Sequence, residues 1–230
     1  GAGMNATTGR VPLRIDFVSD IVCPWCAIGL TALDQALARL PANVDVDFHV
    51  RPFELNPQMA AEGEDIAEHL TRKYGLSPEQ LTAARANLQA RGAEVGFTFG
   101  ERHRTWNTFD AHRLLHWAGL EGLQFNLKLA LLQAYHRDGE NVSDHATLVR
   151  IASSVGLDAE RAAAILASDE YADAVRAEEQ FFVRSGINSV PAVIIDQQHL
   201  ISGGQPVEVF ERALREIVAS KAEELGGKAG

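Results

Sequence analysis

Two cysteines in this chain of 230 residues, Cys23 and Cys26, are separated by Pro24 and Trp25 in the stretch DIVCPWCAIG. Two thiols at this spacing can form a structural disulfide, supply half of a metal site, or act as a redox pair that opens and closes. A disulfide that closes so short a ring constrains the unfolded chain little, which argues against a purely structural role. The rest of the sequence must distinguish between a metal site and a redox pair.

A metal site would need further ligands at a suitable spacing. His112 and His116 stand four residues apart in AHRLLHW, where they would share one face of a helix. The sequence has no second Cys-x-x-Cys pair, however, and these histidines lie far outside the spacing of a zinc finger. The sequence therefore favours the redox pair, and we expect no metal.

The elements around the cysteines support redox chemistry. Residues 11–20 form a short apolar run that predicts a buried strand, and apolar residues three and four apart from Ile28 to Leu40 predict a helix that begins near Pro24. Cys23 would then lie at a helix N-terminus, where unpaired N–H groups and the helix dipole favour a reactive thiolate. Cys26, one turn further, would be more buried, which predicts Cys23 as the nucleophile and Cys26 as the resolving thiol.

The pattern along the rest of the chain places this junction in a fold. Residues 43–55 alternate between apolar and polar side chains, which predicts a second strand parallel to the first. From about residue 60 to 186 the spacing is helical without a strand pattern, with Ser77 and Asp158 as expected N-caps. Strands are predicted again at 192–195 and 199–202, followed by a last helix.

This order of elements is that of a thioredoxin fold interrupted by helices. We predict an α/β protein with a central mixed β-sheet and a large all-helical insertion domain. Residues 11–58 and 170–226 would form the two parts of the thioredoxin-fold domain. Residues 59–169 would form the insertion and cover one side of the sheet, because their apolar faces are too broad to be left in water.

Composition limits the partners and the compartment. The formal net charge is -10 and no cluster of basic residues is present, so we expect neither a nucleic acid nor an acidic membrane surface as partner. No apolar run approaches the roughly 20 residues of a membrane span. The opening GAGMNATTGRVP has no apolar signal core and is interpreted as an expression scar before a native Met4. We predict a cytoplasmic protein, in a compartment where cysteine pairs are more often catalytic than structural.

Several stretches between about residues 12 and 215 closely resemble the FrnE-type branch of the DsbA family of thiol-disulfide oxidoreductases. They are VSDIVCPWCAIG, RPFELNP, KYG, NTFDAHRL, VGLD, SVPAVII and SGGQPVEVF. The resemblance implies that Cys23 attacks, that Cys26 resolves and that Pro191 is a cis-proline beside them. A cis bond would turn the backbone of Val190 outward to pair with an extended peptide or glutathione. The residues alone would favour an ordinary trans proline at the start of a strand, and the resemblance reverses that expectation.

Further side chains near the motif have two interpretations each. Trp25 is expected to be exposed and to offer an apolar contact to a partner, with packing on the inserted domain as the alternative. Asn107 faces the active site by resemblance, or is a helix N-cap. Ser19 and Asp20 either tune the thiols or end the strand.

The function predicted from these residues is that of a thiol-disulfide oxidoreductase or isomerase that acts on protein or small-molecule thiols and disulfides through a mixed disulfide. We expect no metal or nucleotide cofactor, and glutathione stays open as a co-substrate. One alternative is a glutathione-dependent isomerase or transferase of the 2-hydroxychromene-2-carboxylate isomerase or kappa type, although that branch usually has serine at the first cysteine position. Another is a non-catalytic protein that binds partners in an apolar groove. The sequence leaves open the substrate, the direction, and whether the protein is a monomer or a homodimer.

Overall fold

The computed structural model describes residues 9–229, and the side chains of residues 9–226. The predicted scar before Met4 lies within residues 1–8, outside the described residues. In the described part, the strands are β1 (Val11–Ser19), β2 (Val44–Pro52), β3 (Glu64–Asp65), β4 (Arg104–Thr105), β5 (Ala192–Ile195) and β6 (His199–Ser202). The helices are α1 (Pro24–Ala38), α2 (Ile66–Tyr74), α3 (Pro78–Val95), α4 (Phe109–Leu120), α5 (Gln124–His136), α6 (His145–Ser154), α7 (Ala159–Leu166), α8 (Ala172–Arg184) and α9 (Val207–Ala229).

Four strands form the central sheet in the order β2-β1-β5-β6. β1 runs parallel to β2 and antiparallel to β5, and β6 is antiparallel to β5. β1 is therefore the inner strand from which the cysteine motif emerges. This is the mixed sheet of a thioredoxin fold, and the prediction of the fold is confirmed.

One side of the sheet packs into a hydrophobic cluster that we call the sheet core. The odd-numbered apolar residues of β1 point into it, together with apolar residues of α1 and α9. Val95, Phe97 and Leu132 from the helical segment join the same cluster. The helical segment therefore helps to cover the sheet as predicted, although the division of the chain into two domains stays a prediction.

A second cluster, the helical core, is built from α4, α5, α6 and α7. It also contains Ile21 and Val22, the two residues directly before Cys23. Both are almost fully buried. The loop that enters the cysteine motif is therefore held by the helical segment as well as by the sheet.

The helical segment also contains a feature that the sequence did not predict. Glu64–Asp65 pairs antiparallel with Arg104–Thr105 as a two-stranded ladder. Strands of two residues are too short to produce a period-two pattern, so no alternation could have indicated them. The ladder ties the start of α2 to the chain that enters α4.

Local signals for the helix ends agree with the structure. The Ser77 side chain accepts a hydrogen bond from Gln80 N, and the Gln80 side chain returns one to Ser77 N, which is a complete capping box. Asp158 caps α7 through the backbone N–H of Glu160. Among the described residues, no helix combines the length and the apolar character that crossing a membrane would require.

Candidate functional site

Cys23 occupies the junction between β1 and α1. It is the N-cap residue of α1 in an extended conformation, with φ -86° and ψ 112°, and Pro24 follows as the first helical residue. Proline fits this position because its missing N–H would be unpaired in any case. No side chain caps the helix. The positive end of the helix dipole therefore lies beside the Cys23 sulfur.

The two cysteines are free thiols that differ in access. Cys23 retains 4% of its surface and Cys26 retains 0%. The backbone N–H of Cys26 donates to Cys23 O at 3.1 Å, in the first turn of α1. Cys23 therefore keeps a small exposed surface and Cys26 keeps none, which agrees with the predicted order of attack and resolution.

The Val190–Pro191 peptide bond is cis and lies beside Cys23. The Cys23 thiol donates to the carbonyl oxygen of Val190 over 3.7 Å. The Pro191 ring packs against Gly29 of α1, where an added methyl group would lie 3.1 Å from Pro191 Cγ. The structure therefore brings together Cys23, Cys26, Val190 and Pro191.

Trp25 is half-buried rather than exposed as expected. It packs against the sheet core, and a methyl group at Gly204 would lie 3.4 Å from its ring and 2.7 Å from its carbonyl oxygen. The indole fits because residue 204 has no side chain. Pro24 is half-buried as well, so both residues between the cysteines retain some surface for a partner.

Burial keeps the second thiol protonated. Loss of solvent, followed by the neighbouring Cys23, raises the pKa of Cys26 well above its usual value. Lys128 acts in the opposite direction as a positive charge. The resolving thiol therefore needs help to lose its proton before it can attack.

Lys128 and His136 are buried side chains of α5 close to this motif. Lys128 has 0% exposure, and its Nζ has no hydrogen-bond partner among the described residues. Burial lowers the pKa of Lys128, while Cys26, Asp20 and Cys23 oppose that shift. His136 Nε2 donates to Ile21 O at 2.7 Å, and burial lowers the pKa of His136 well below its usual value, so its ring is neutral.

Asp20 anchors the loop before Cys23. Its buried carboxylate accepts from the backbone N–H groups of Ile21 and Leu55, each at 2.8 Å, and from His112 Nε2 at 3.0 Å. Burial alone would raise the pKa of Asp20, but the bonds and the charge of His112 and the Leu55 N–H lower it. The side chain of Asp20 therefore ties the end of β1 to α4, and a hydrogen bond with the Asp20 backbone also lowers the pKa of Cys26.

The two histidines considered as metal ligands have separate partners. His112 bonds to Asp20, whereas His116 lies 3.5 Å from Glu178 on α8. Nowhere in residues 9–226 do three or more His, Cys, Asp or Glu side chains gather in a way that could hold a metal ion.

Asn107 uses its amide inside the helical segment. Its Nδ2 donates to Met59 O at 3.1 Å, and its Oδ1 accepts from Phe109 N at 2.9 Å. Within the described residues it makes no hydrogen bond to the cysteine motif. Asn107 therefore caps α4 from one position before the N-cap residue Thr108, and its proposed role toward a substrate rests on the resemblance alone.

Sequence reasoning did not identify Lys128. The residue lies in the apolar stretch LQFNLKLALLQAYH. A single lysine on such a helix usually extends its charged end to solvent. Its spacing from Phe125 and Leu132, which places all three on one face, was the one signal available.

Comparisons with known proteins agree with this geometry. The model of the family described as DSBA-like thioredoxin domain matches residues 14–215. A probable DsbA oxidoreductase from Streptomyces coelicolor is 39% identical, with a TM-score of 0.83 and 89% of each chain covered. The uncharacterized protein YwbO of Bacillus subtilis is 26% identical over 88% of this chain and 96% of its own length. The cytosolic disulfide reductase DsbM of Pseudomonas aeruginosa, solved with GSH, shares the fold at 16% identity and a TM-score of 0.61, with 90% of this chain and 99% of that one covered.

Proposed function

Because the chain belongs to the DSBA-like thioredoxin domain family, we propose that it is a thiol-disulfide oxidoreductase of the FrnE-like branch that works through Cys23 and Cys26. One observation carries the proposal. The Cys23 sulfur lies at the N-terminus of α1 and 3.7 Å from Val190 O, with the thiol of Cys26 buried one turn behind it. This arrangement gives one sulfur access to a partner and keeps the other for closing the ring.

In the reducing direction, the Cys23 thiolate attacks one sulfur of a substrate disulfide. The new bond joins Cys23 to that sulfur, and the other substrate sulfur leaves as a thiolate. Cys26 then gives up its proton and attacks Cys23 Sγ, which forms the Cys23–Cys26 disulfide and releases the second substrate thiolate. Two electrons pass from the protein to the substrate, and the oxidising direction is the same sequence in reverse.

The backbone of Val190 next to the cis bond offers a partner for an extended chain. We propose protein or small-molecule thiols and disulfides as substrates, with glutathione as a co-substrate. The solved complex of the DsbM fold relative with GSH supports glutathione. We place the protein in the cytoplasm, where such a pair is held reduced, and propose that it works as a monomer or a homodimer.

A glutathione redox titration tests the proposal. Purified protein is equilibrated at a series of GSH to GSSG ratios, its free thiols are alkylated, and the two thiol states are separated by mass. We expect one reversible two-electron transition in the wild type. Its midpoint would distinguish a reductant near about -270 mV from an oxidant near about -120 mV.

The variants Cys26→Ser and Cys23→Ser are the controls. We expect Cys26→Ser to trap glutathione on Cys23 without closing a ring, and Cys23→Ser to lose exchange. A wild type without a transition would contradict the proposal. Two results would favour the glutathione-dependent isomerase or transferase instead. The protein would bind glutathione without disulfide exchange, and Cys26→Ser would keep an isomerase or transferase activity.

A further inference from the structure

The amine of Lys128 is a buried polar group without a partner. Its side chain has 0% exposure, and Nζ makes no hydrogen bond within the described residues. Burying an ammonium group without a partner costs several kcal/mol, so such groups are rare in structures. A lysine placed there needs a group with which it can share a proton.

The face of α5 that carries Lys128 is directed at the cysteine motif. Phe125 and Leu132, three residues before and four residues after Lys128, pack in the sheet core with residues of α1. His136, the next position of the same stripe, donates to Ile21 O two residues before Cys23. Lys128 therefore points from the helical segment toward the first turns of α1.

The titratable groups around Lys128 come from several elements. Cys23 and Cys26 lie on α1, and Asp20 lies in the loop before it. On its own helix His136 feels the charge of Lys128, and it also feels the charge of Arg102 from the chain before β4. Cys26 is the one member of this set that must lose a proton for the resolving step.

The other buried polar groups near the motif are less suited to proton exchange with Cys26. The carboxylate of Asp20 accepts three hydrogen bonds, from Ile21 N, Leu55 N and His112 Nε2. His136 has a free Nδ1, but burial and the charges of Arg102 and Lys128 disfavour its protonation. Ser19 Oγ also lacks a partner among the described residues, but a hydroxyl is a far weaker base than an amine, so Lys128 is the group left to exchange a proton with Cys26.

We propose that Lys128 exchanges the proton of Cys26 during disulfide exchange, an inference that rests on the proposed function. In the reducing direction, Lys128 in its amine form accepts the proton of the Cys26 thiol, and the Cys26 thiolate attacks Cys23 Sγ and expels the substrate thiolate. In the oxidising direction, a substrate thiolate attacks Cys23 Sγ, Cys26 leaves as a thiolate, and the Lys128 ammonium returns the proton. Since no hydrogen bond holds Nζ, the side chain can approach the sulfur without breaking one.

The test separates the two steps of the reaction. Reduced protein is mixed rapidly with GSSG, the reaction is quenched at intervals, and the mixed disulfide and the closed disulfide are quantified by mass at pH 6 to 9. In Lys128→Met we expect the formation of the mixed disulfide to stay within about twofold of wild type. The resolving phase at pH 7 should slow by about tenfold or more, and its rate should rise more steeply with pH, since each pKa unit changes the thiolate fraction about tenfold.

Two further variants give matched controls. Lys73→Met removes an exposed lysine and should leave both phases unchanged. Lys128→Arg supplies a positive charge but cannot accept a proton, because arginine does not deprotonate in proteins. We expect its resolving phase to stay slow, and recovery of the wild-type rate would overturn proton exchange in favour of charge alone.

A second measurement does not depend on turnover. In the Cys23→Ser background, the alkylation rate of Cys26 at pH 7 should fall by about tenfold when Lys128→Met is added. Alkylation rates and resolving phases in a folded Lys128→Met protein that equal those of the protein with Lys128 would contradict the inference. If methionine prevents folding, Lys128→Gln takes its place. A wild type without any disulfide exchange would contradict the proposed function, while the alkylation rates would still test the link between Lys128 and Cys26.

Discussion

Two buried side chains fix the loop that leads into the cysteine motif. Asp20 and His112 join the end of β1 to α4, and both side chains are almost completely buried, each with 1% exposure. A buried pair of this kind is weak evidence for net stability, but removal of one member leaves the other without its partner. The pair therefore acts on the position of Cys23 through Ile21 and Val22, the two residues that separate it from Asp20.

We expect Asp20→Asn to lower the free energy of unfolding by about 3–5 kcal/mol at pH 7. The folded-state pKa of Asp20 lies below the usual 3.8, so the carboxylate stabilises the fold above that pH and the contribution is lost as the pH falls through the folded value. The difference between the variant and wild type should therefore shrink below about pH 3.8. Urea unfolding followed by circular dichroism at pH 7 and pH 3 measures both quantities.

Asp34→Asn is the matched control, because Asp34 is an exposed aspartate on α1. Its substitution should change the free energy of unfolding by no more than about 0.5 kcal/mol. An Asp20→Asn protein as stable as this control at pH 7 would show that the buried carboxylate has no anchoring role.

Close contacts between α1 and two loops also position the cysteine motif. The start of α1, the Val190–Pro191 loop and the residues after β6 approach each other at Gly29 and Gly204. Neither glycine has a positive φ, so no special backbone conformation requires them. They are needed because a side chain at either position would meet neighbouring atoms. An added methyl group at Gly204 would lie 2.7 Å from the backbone oxygen of Trp25, and that oxygen cannot rotate away as a side chain could.

We expect Gly204→Ala to displace the first turn of α1 and to destabilise the protein by about 1–3 kcal/mol. Because the displaced turn carries both cysteines, the disulfide exchange rate should fall by about tenfold or more, since small displacements at a reacting centre are costly. Gly226→Ala, on α9 with nothing within 4 Å of the added carbon, is the control and should keep the wild-type rate and stability. Equal exchange rates in the two variants would mean that the contact does not position the motif.

At the scale of the whole molecule, patterns that extend over many residues could be predicted from the sequence. The apolar patterns of the strands and the helical spacing after Cys26 predicted the sheet and the position of Cys23. The ladder of β3 and β4 could not be predicted, because two residues contain no period. Lys128 and the half-buried Trp25 depend on contacts between distant segments, which a local pattern does not contain.

A pair of carboxyl groups beside α8 makes the stability of the whole molecule depend on pH. Glu179 and Glu54 line a cleft of about 280 Å³ between α8 and the chain after β2. Burial, followed by the hydrogen bond with Glu54, raises the pKa of Glu179 to about 9. Glu179 therefore keeps a proton at neutral pH that the unfolded chain releases near its usual 4.5.

Since the folded state binds more protons between about pH 4.5 and 9, stability should fall as the pH rises through this window. We expect Glu179→Gln, which keeps the shape without the titration, to be more stable than wild type by at least about 1 kcal/mol at pH 8 and equal to it near pH 4. Glu178→Gln on the same helix should behave in the opposite way at pH 8. Although burial opposes ionisation there, the contacts with His116 and Arg51 lower the pKa of Glu178, and their loss is destabilising. Thermal unfolding of the three proteins from pH 4 to 9 measures these differences in stability. If the stability of wild type changed with pH in parallel with that of Glu179→Gln, Glu179 would be ionised in the folded protein.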